Sequence, residues 1–517
     1  MRELQQNANL SADFTYYFGT ALAQLSRWDE ARAALLTGLR SWPKDKRFPT
    51  ELAGVAFRQK NYKEARRWLR QVLRLDHDDI YVKDFLGTLY FLEGNLEAAL
   101  KYWNQISKPE IQNVLLDPQP RMNSALLDRA FAFSPAGVLR SPDLLLSESR
   151  VRGLEVFSSP RFELAARPDG KFDAVFRARE RNGWGSNKWE ALASTFSGVF
   201  YQTLYPAYFN IDRSAINVTS LLRWDSQKRR LQISVSSPLL QNPKFRFRAA
   251  LDLRNENWDI RDSFQGPAPL LGVLNLEREG VVADVTSFSS GRWSWSTGLE
   301  LSHRKHRSVL AGSAFTPELL LSGYQLKHLA QLNHEILRIP EHRFTTTASV
   351  SAQTGKIWST PGHPFEKLSG KVQGQWFPRS QGDDYESRWM IGAGSIFGEV
   401  PFDELYMLGL ERDNDLWMRG HIGTRDGKKG SAPLGRSYSL LNWETFKNVY
   451  SNGIFGLKVG PFADTGKING STGLGSKKWL LDMGVQAKFT VLGVGVVFIY
   501  GKDLRSGNNA SYATVGQ

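Results

Sequence analysis

The sequence predicts a multidomain α + β protein with an N-terminal α-solenoid, a small α/β domain and a C-terminal 16-stranded antiparallel transmembrane β-barrel. Three observations predict this fold class. A 34-residue repeat begins the chain, a strand–helix–hairpin pattern follows it, and 335 residues of period-two alternation complete it. We place the three domains at residues 1–115, 118–182 and 183–517.

Composition excludes several classes of protein. The 517 residues exceed what one compact core accommodates. Cysteine is absent, which excludes a disulfide scaffold, a thiol enzyme and a Cys-ligated zinc site. Aromatic residues make up 12% of the chain, which argues against disorder. The net charge of +14 is spread widely and no nucleic-acid motif accompanies it, so we expect no nucleic-acid partner.

Hydropathy alone leaves two environments open. No apolar run reaches the 18 residues of a transmembrane helix. The mean hydropathy of −0.37 is typical of a soluble protein. It is equally typical of a transmembrane barrel, because lipid-facing and lumen-facing residues alternate and average out. The first eleven residues are polar and contain no signal peptide, so a secreted protein would have its true N-terminus upstream of this sequence.

The N-terminal repeat places small residues in register at a spacing of 34. Small side chains let the two helices of a hairpin approach closely, and those at the recurring positions are Gly19, Ala53 and Gly87 with Ala31, Ala65 and Ala99. This pattern resembles the tetratricopeptide repeat (TPR) over about residues 11–110. The resemblance implies a concave groove that binds peptides or proteins. The alternative is a helical spacer whose groove has no ligand.

A second pattern occupies residues 118–182. Ser141-Pro142-Asp143 starts a predicted helix, and Pro168-Asp169-Gly170 forms the turn of a predicted hairpin. A short strand is predicted at Ala130–Phe133. The order resembles a POTRA domain, the periplasmic module that precedes outer-membrane assembly barrels. The resemblance implies a sheet edge that takes a strand from a client by β-augmentation. The alternative is a rigid connector.

From residue 183 onward, apolar and polar residues alternate. Arg246, Arg248 and Arg254 share one face of a predicted strand and must face water, because unpaired buried charge is costly. Both a soluble antiparallel sheet and a water-filled barrel satisfy this. Aromatic residues near strand ends favour a membrane interface. At 9–11 residues per strand, the region fits about 16 strands. The first is predicted near residues 188–202 and the last near 510–515.

Three segments of the C-terminal third carry a further resemblance. Arg419-Gly420-His421 lies in a glycine-rich stretch, Glu444 lies in a predicted strand, and Phe462-Ala463-Asp464-Thr465-Gly466 lies in the next strand. These segments resemble the BamA/TamA superfamily of outer-membrane assembly barrels. In that superfamily an extracellular loop carries Arg-Gly and an aromatic residue, and a later strand carries Phe-x-Asp-x-Gly. The resemblance covers about residues 118–517. The TPR array and His421, where Phe or Tyr is usual, depart from it.

The chemistry of the motif predicts a loop anchor. A guanidinium offers five donors in a planar fork, which carboxylates receive bidentately. Alternation places Glu444 on the face opposite Trp443, and hence in the lumen. We predict that Arg419 bridges Glu444 and Asp464, and that Gly420 lets the loop backbone approach the wall. The alternative is that Asp464 lies in a turn and that Arg419 is a solvated loop cation.

No catalytic constellation stands out. The histidines do not cluster in the sequence, and Pro340 interrupts the one stretch with two His/Glu pairs. There is no nucleophile elbow and no P-loop. We therefore predict that the protein is not an enzyme and uses no cofactor or metal.

The resemblance implies a bacterial outer-membrane protein that inserts or translocates other polypeptides, with its TPR and POTRA-like parts in the periplasm. Its implied partners are unfolded outer-membrane or secreted client polypeptides, periplasmic or lipoprotein partners in the TPR groove, and outer-membrane lipid. A secretion pore or passive channel is one alternative, which sizeable conductance in planar bilayers would reveal. A soluble TPR adaptor with an all-β domain is another, and it would fractionate with soluble protein.

Overall fold

The computed structural model describes residues 11–261, 268–310, 315–358, 362–379, 382–470, 474–476, 478–491 and 494–516. The chain divides into two compact units. The helical unit contains the residues up to 112 together with residues 135–141 and 166–172, and the barrel unit contains the rest. Within the described ranges, no helix is long and apolar enough to cross a bilayer.

The helical unit consists of three consecutive helix pairs, which are α1 Ala12–Gln24 with α2 Trp28–Ser41, α3 Arg47–Arg58 with α4 Tyr62–Leu75, and α5 Ile80–Leu92 with α6 Leu96–Trp103. Several helices begin at a side-chain cap that accepts a hydrogen bond from a free backbone N–H. The capping residues are Ser11 of α1, Asn61 of α4, Asp79 of α5 and Asn95 of α6. A short 3₁₀ helix, Asn104–Ile106, follows the last pair. The predicted solenoid of helical hairpins is confirmed.

The small residues of the repeat lie where paired helices touch. The four repeat alanines are fully buried, namely Ala31, Ala53, Ala65 and Ala99. A Cβ on Gly19 would lie 2.7 Å from the Leu35 side chain, and one on Gly87 would overlap the Trp103 ring. Glycine at these two positions therefore makes room for the large residue of the facing helix.

We expect Gly87→Ala to destabilise the helical unit by about 1–3 kcal/mol, because the added methyl group displaces Trp103 from its packed position. Gly54→Ala is the matched control, since a Cβ there meets nothing within 4 Å. In a helix interior that change stabilises by about 0.5–1 kcal/mol. Thermal unfolding of the full chain, followed by circular dichroism at the helical minimum, checks both. Equal melting temperatures for the two variants would contradict the packing role of Gly87.

The small module contains β1 Ile111–Asp117, α7 Ser124–Ala130, α8 Ser141–Gly153, β2 Phe157–Ala166 and β3 Phe172–Glu180. The sheet order is β1-β3-β2, which leaves β1 and β2 at the edges. The predicted helix and hairpin are confirmed. The strand predicted at Ala130–Phe133 is wrong, because Asn123 caps a helix that continues to Ala130. Phe131 instead packs its ring against Phe162 and Phe176.

The remaining strands belong to the barrel and to the loop inside it. In chain order they are β4 Thr203–Leu204, β5 Ala207–Ile211, β6 Ile216–Trp224, β7 Lys228–Leu239, β8 Asn242–Arg261, β9 Leu270–Ser287, β10 Trp293–Arg307, β11 Gly323–Ile339, β12 Phe344–Trp358, β13 His363–Trp376, β14 Tyr385–Gly398, β15 Tyr406–Met407, β16 Thr424–Arg425, β17 Lys428–Lys429, β18 Leu434–Gly435, β19 Ser437–Ser451, β20 Phe455–Asn469, β21 Leu480–Val491, β22 Val494–Asp503 and β23 Asn509–Gly516. Consecutive wall strands pair antiparallel, and the sheet closes into a barrel.

The closed sheet contains eighteen strand segments within the described residues. Two of them, β16 and β17, are two-residue pieces of the loop between β14 and β19, which leaves sixteen wall segments. Both β4 and β5 pair with β6, so they occupy one position in the wall. The predicted antiparallel barrel is thus confirmed, and its sixteen described wall segments occupy fifteen positions because the first strand is broken in two.

The first strand predicted near residues 188–202 is wrong. Lys188–Phe196 forms helix α9, and a 3₁₀ turn at Val199–Tyr201 follows. The Asn187 side chain accepts a hydrogen bond from the Glu190 N–H and so caps the helix, which period-two reasoning overlooked. Helix α9 lies against β4 and β22. The last strand, predicted near 510–515, is confirmed as β23.

The barrel wall has an apolar outer face and a charged inner face. Large apolar residues alternate along the strands and are exposed on the outside, as at Leu222, Trp224, Ile233, Val235, Leu299, Leu301, Leu441, Trp443, Phe498 and Tyr500. The predicted water-facing arginines have carboxylate partners: Arg248 pairs with Asp284 and Arg254 with Asp252. Arg246 pairs with Glu155 of the small module. The part of the module that belongs to the barrel unit thus contacts the end of the barrel that carries the turn after β7.

Candidate functional site: the loop inside the barrel

The loop between β14 and β19, residues 399–436, folds back into the barrel. Its apolar residues form a core with the inner wall, and those from the loop include Val400, Phe402, Leu408, Met418 and Leu434. The Phe402 ring meets Trp258 of β8 edge to face with centroids 4.7 Å apart, and Tyr406 meets Tyr438 of β19 at 4.6 Å. This part of the lumen is therefore filled by packed side chains.

Arg419 is the most deeply held cation of the loop, with 2% of its surface exposed. Its Nε donates to Asp464 Oδ2 at 2.9 Å, and its Nη2 donates to Asp464 Oδ1 at 2.6 Å. The Arg419 backbone N–H also donates to Asp464 Oδ2 at 3.0 Å. Asp464 of β20 therefore receives the guanidinium bidentately and holds the loop backbone as well.

The remaining guanidinium nitrogen connects two further strands. Arg419 Nη1 donates to Glu444 Oε2 of β19 at 2.6 Å and to Gln486 Oε1 of β21 at 3.2 Å. The Gln486 amide in turn donates to Glu444 at 2.8 Å. The Arg419 Cζ lies 4.0 Å from the centroid of the Phe462 ring, a cation–π contact. One loop side chain thus contacts three adjacent strands of the wall.

Two glycines let the loop approach the wall. A Cβ on Gly420 would lie 2.6 Å from Cγ of Asp482, whose carboxylate accepts a hydrogen bond from the Gly420 N–H at 2.6 Å. Gly466 of β20 faces Met418 of the loop, and a Cβ there would lie 3.2 Å from the Met418 sulfur. The structure therefore brings the six predicted motif residues together, namely Arg419, Gly420, Glu444, Phe462, Asp464 and Gly466.

Strand register explains this convergence. Glu444 lies opposite Phe462, and Asp464 lies opposite both Asn442 of β19 and Asp482 of β21. Sequence reasoning missed Asn442, Asp482 and Gln486 as partners of this site. The available signal was parity, because Asp482 and Gln486 share the inner face of β21 while Met483 and Val485 are exposed outside.

A second group of contacts holds the loop at Asp413. Its carboxylate pairs with Arg223 of β6 at 3.0 Å, with Arg230 of β7 at 2.7 Å and with Lys429 of the loop at 3.0 Å. Lys429 also pairs with Glu256 of β8 at 2.7 Å. No local sequence pattern identifies this group, because its members lie far apart in the chain, with Arg223 and Asp413 separated by 190 positions.

A third group lies at the start of the loop. Asp403 pairs with Arg304 of β10 at 2.7 Å and with Arg278 of β9 at 3.1 Å. Glu404 pairs with Lys327 of β11 at 2.9 Å. Together with the other two groups, these contacts attach the loop to opposite sides of the barrel. The arrangement offers binding and support.

Comparison with known proteins gives the following similarities. Residues 16–80 match the family model described as a tetratricopeptide repeat. CdiB from Escherichia coli is similar in structure, with 14% identity, a TM-score of 0.49, and coverage of 79% of this chain and 75% of that one. The crystal structure of BamA from Haemophilus ducreyi lacking POTRA domains 1–3 is similar with 12% identity, a TM-score of 0.44, and coverage of 79% and 83%. No curated protein matches the chain.

Proposed function

We propose that this chain is a bacterial outer-membrane protein that assists the insertion or translocation of other polypeptides, with its helical unit and small module in the periplasm. One observation carries the proposal. A loop folded into a closed barrel is held there by a buried arginine that contacts three strands. Such an anchor supports the barrel wall from the inside by hydrogen bonds and ion pairs. We propose Arg419, Glu444 and Asp464 as this anchor.

The outer face supports a membrane location. Exposed tryptophans and aliphatic residues alternate with inward polar residues, as lipid requires of a transmembrane barrel. The packed loop argues against a passive open channel, because its core with the inner wall occupies part of the lumen. A soluble adaptor would expose the apolar outer face of the barrel to water, which favours aggregation.

The seam of the barrel, where the first and last wall strands meet, supports a mechanism for binding other polypeptides. Fourteen antiparallel strand pairings lead from the first wall position, β4 and β5, to the last strand, β23. Because each pairing reverses the strand direction, the first and last strands run in the same direction. Parallel pairing is slightly less stable than antiparallel pairing. Pro206 between β4 and β5 lacks an N–H and weakens the first strand further. We propose that a client hairpin pairs with β23 at this seam.

The parts outside the barrel supply further binding surfaces. In the small module, β1 and β2 are edge strands that can accept an extended client segment by β-augmentation. The helical unit carries the repeat match and supports a role in binding a periplasmic or lipoprotein partner. We propose that both surfaces bind clients or partners while the barrel contacts outer-membrane lipid.

Site-directed crosslinking tests the seam. The chain lacks cysteine, so Ser511→Cys of β23 and Ser439→Cys of β19 each introduce a single reactive thiol. Both serines are exposed on the outer face, and β19 is paired on both sides. Each variant carries a thiol-linked photocrosslinker and is reconstituted in proteoliposomes, to which an unfolded eight-stranded barrel polypeptide is added. We expect the yield of crosslinked polypeptide at position 511 to be several times the yield at position 439. Equal yields at the two positions would overturn the proposed seam.

A further inference from the structure

The loop carries a histidine whose surroundings differ from those of the arginine beside it. His421 Nδ1 lies 3.0 Å from Asp482 Oδ2 of β21, and His421 Nε2 lies 3.6 Å from Asp503 Oδ2 at the end of β22. One candidate ligand atom from each residue can be chosen so that all three lie within 4.8 Å of one another. The three side chains come from three separate segments, which only the folded barrel brings together.

Asp482 supplies an independent observation. The residue is fully buried, and its Oδ2 accepts one hydrogen bond from the Gly420 N–H and lies 3.0 Å from His421 Nδ1. Its Oδ1 is buried and has no hydrogen-bond partner in the described part of the chain. Buried carboxylate oxygens are normally satisfied, and an exception calls for a ligand or another physical explanation. A bound cation would satisfy this oxygen where no protein donor reaches it.

Local charge also favours a cation. Arg419 is surrounded by Asp464 and Glu444, and the adjacent pair Asp482 and Asp503 adds two further carboxylates. Two of these four carboxylates face the guanidinium and two face the imidazole, which leaves an excess of negative charge in this region even when His421 is protonated. A divalent cation bound to neutral His421 would bring one more positive charge than the histidine proton that it replaces, and would therefore reduce this excess.

We propose that His421, Asp482 and Asp503 form a binding site for a divalent transition-metal ion of the Zn²⁺ type. One imidazole nitrogen with two carboxylate oxygens is a donor set that suits Zn²⁺ and its neighbours, whereas Ca²⁺ and Mg²⁺ prefer oxygen donors alone. Bonds of about 2.0–2.2 Å to four donors separate those donors by roughly 3.5 Å. Small side-chain adjustments therefore complete the site, with water in the fourth position.

The metal would connect the loop to the last strands of the barrel. Asp482 lies on β21 and Asp503 on β22, directly opposite each other in the register. His421 lies two residues after Arg419, whose own contacts reach β19, β20 and β21. The ion thus extends the attachment of the loop to β22, next to the final strand, and this role does not depend on the proposed work on clients.

Cobalt substitution tests the site directly. Purified full-length chain in detergent, with folding verified by a heated and unheated gel, is titrated with Co²⁺, whose visible absorption reports four- or five-coordinate binding. We expect one Co²⁺ per chain, displaced by Zn²⁺. His421→Phe keeps a ring at this position, and we expect it to weaken binding by more than about tenfold. His77→Phe is the control, since His77 is exposed in the helical unit and should bind nothing.

Two further variants test the two carboxylate ligands. Asp482→Asn and Asp503→Asn preserve side-chain shape and remove one negative ligand each, and we expect either to lose most of the Co²⁺ absorption. Undiminished binding in any folded variant at these three positions, or no visible Co²⁺ absorption in the native chain, would overturn the site. Loss of binding in His77→Phe would also count against it, since that result would place the ion elsewhere.

Discussion

Replacing Arg419 by alanine is expected to remove most of the proposed client assembly while the barrel still closes. The change leaves the buried Asp464 carboxylate without its bidentate partner and removes the only guanidinium that contacts Glu444 among the described residues. Breaking a buried ion pair by removing one partner costs about 3–5 kcal/mol. Backbone pairing along the wall is untouched, because the ladders between β19, β20 and β21 do not involve Arg419.

The measurement is the abundance of other barrel proteins in the outer-membrane fraction of cells that depend on this chain. Arg419→Lys is expected to fall between alanine and the native chain, because lysine keeps the charge and loses the planar fork. Arg505→Ala is the matched control, since Arg505 is exposed in the β22–β23 turn. Full client assembly by a heat-modifiable Arg419→Ala barrel would contradict the proposed anchor.

Asp413→Asn is expected to release the opposite side of the loop. The change removes the only carboxylate that the described contacts provide for Arg223, which has 2% of its surface exposed. Arg230 and Lys429 keep Asp252 and Glu256 as partners, so the loss falls mainly on one cation. An uncompensated buried charge costs about 3–5 kcal/mol, enough to populate loop conformations that leave the lumen.

Planar-bilayer conductance measures this effect, because a displaced loop opens the lumen to ions. We expect larger and more frequent openings for Asp413→Asn than for the native chain. Asp415→Asn is the control, since Asp415 is exposed in the same loop two residues away. Conductance unchanged in Asp413→Asn and in Arg223→Met would show that these contacts do not hold the loop in place.

Local pattern predicted the elements better than it predicted their ends. Helix α8, the β2–β3 hairpin and strands β19 and β20 follow from caps, turn residues and alternation. Helix α9 lies where the sequence predicts the first strand near residues 188–202, and its Trp189, Leu192 and Phe196 are exposed. The Asn187 cap and the Glu190 that follows it by three residues were the signal for a helix.

The motif around Arg419 was predictable from the sequence for a different reason. Parity assigns Glu444 and Asp464 to the inner face, and the family resemblance pairs them with a loop arginine. The structure places both within hydrogen-bond distance of Arg419, while their function as an anchor remains a proposal. No comparable signal identified Asp413 or the His421 cluster, because their partners come from strands far apart in the chain.

Periodicity and small-residue spacing are properties of neighbouring residues, so the helical repeat, the alternating wall and the inward-facing side chains are predictable from the sequence. The position of the loop in the lumen, the strands that its charges meet and the helix beside the seam are visible in the folded structure alone. Those features depend on register and closure, which bring together residues that no local pattern connects.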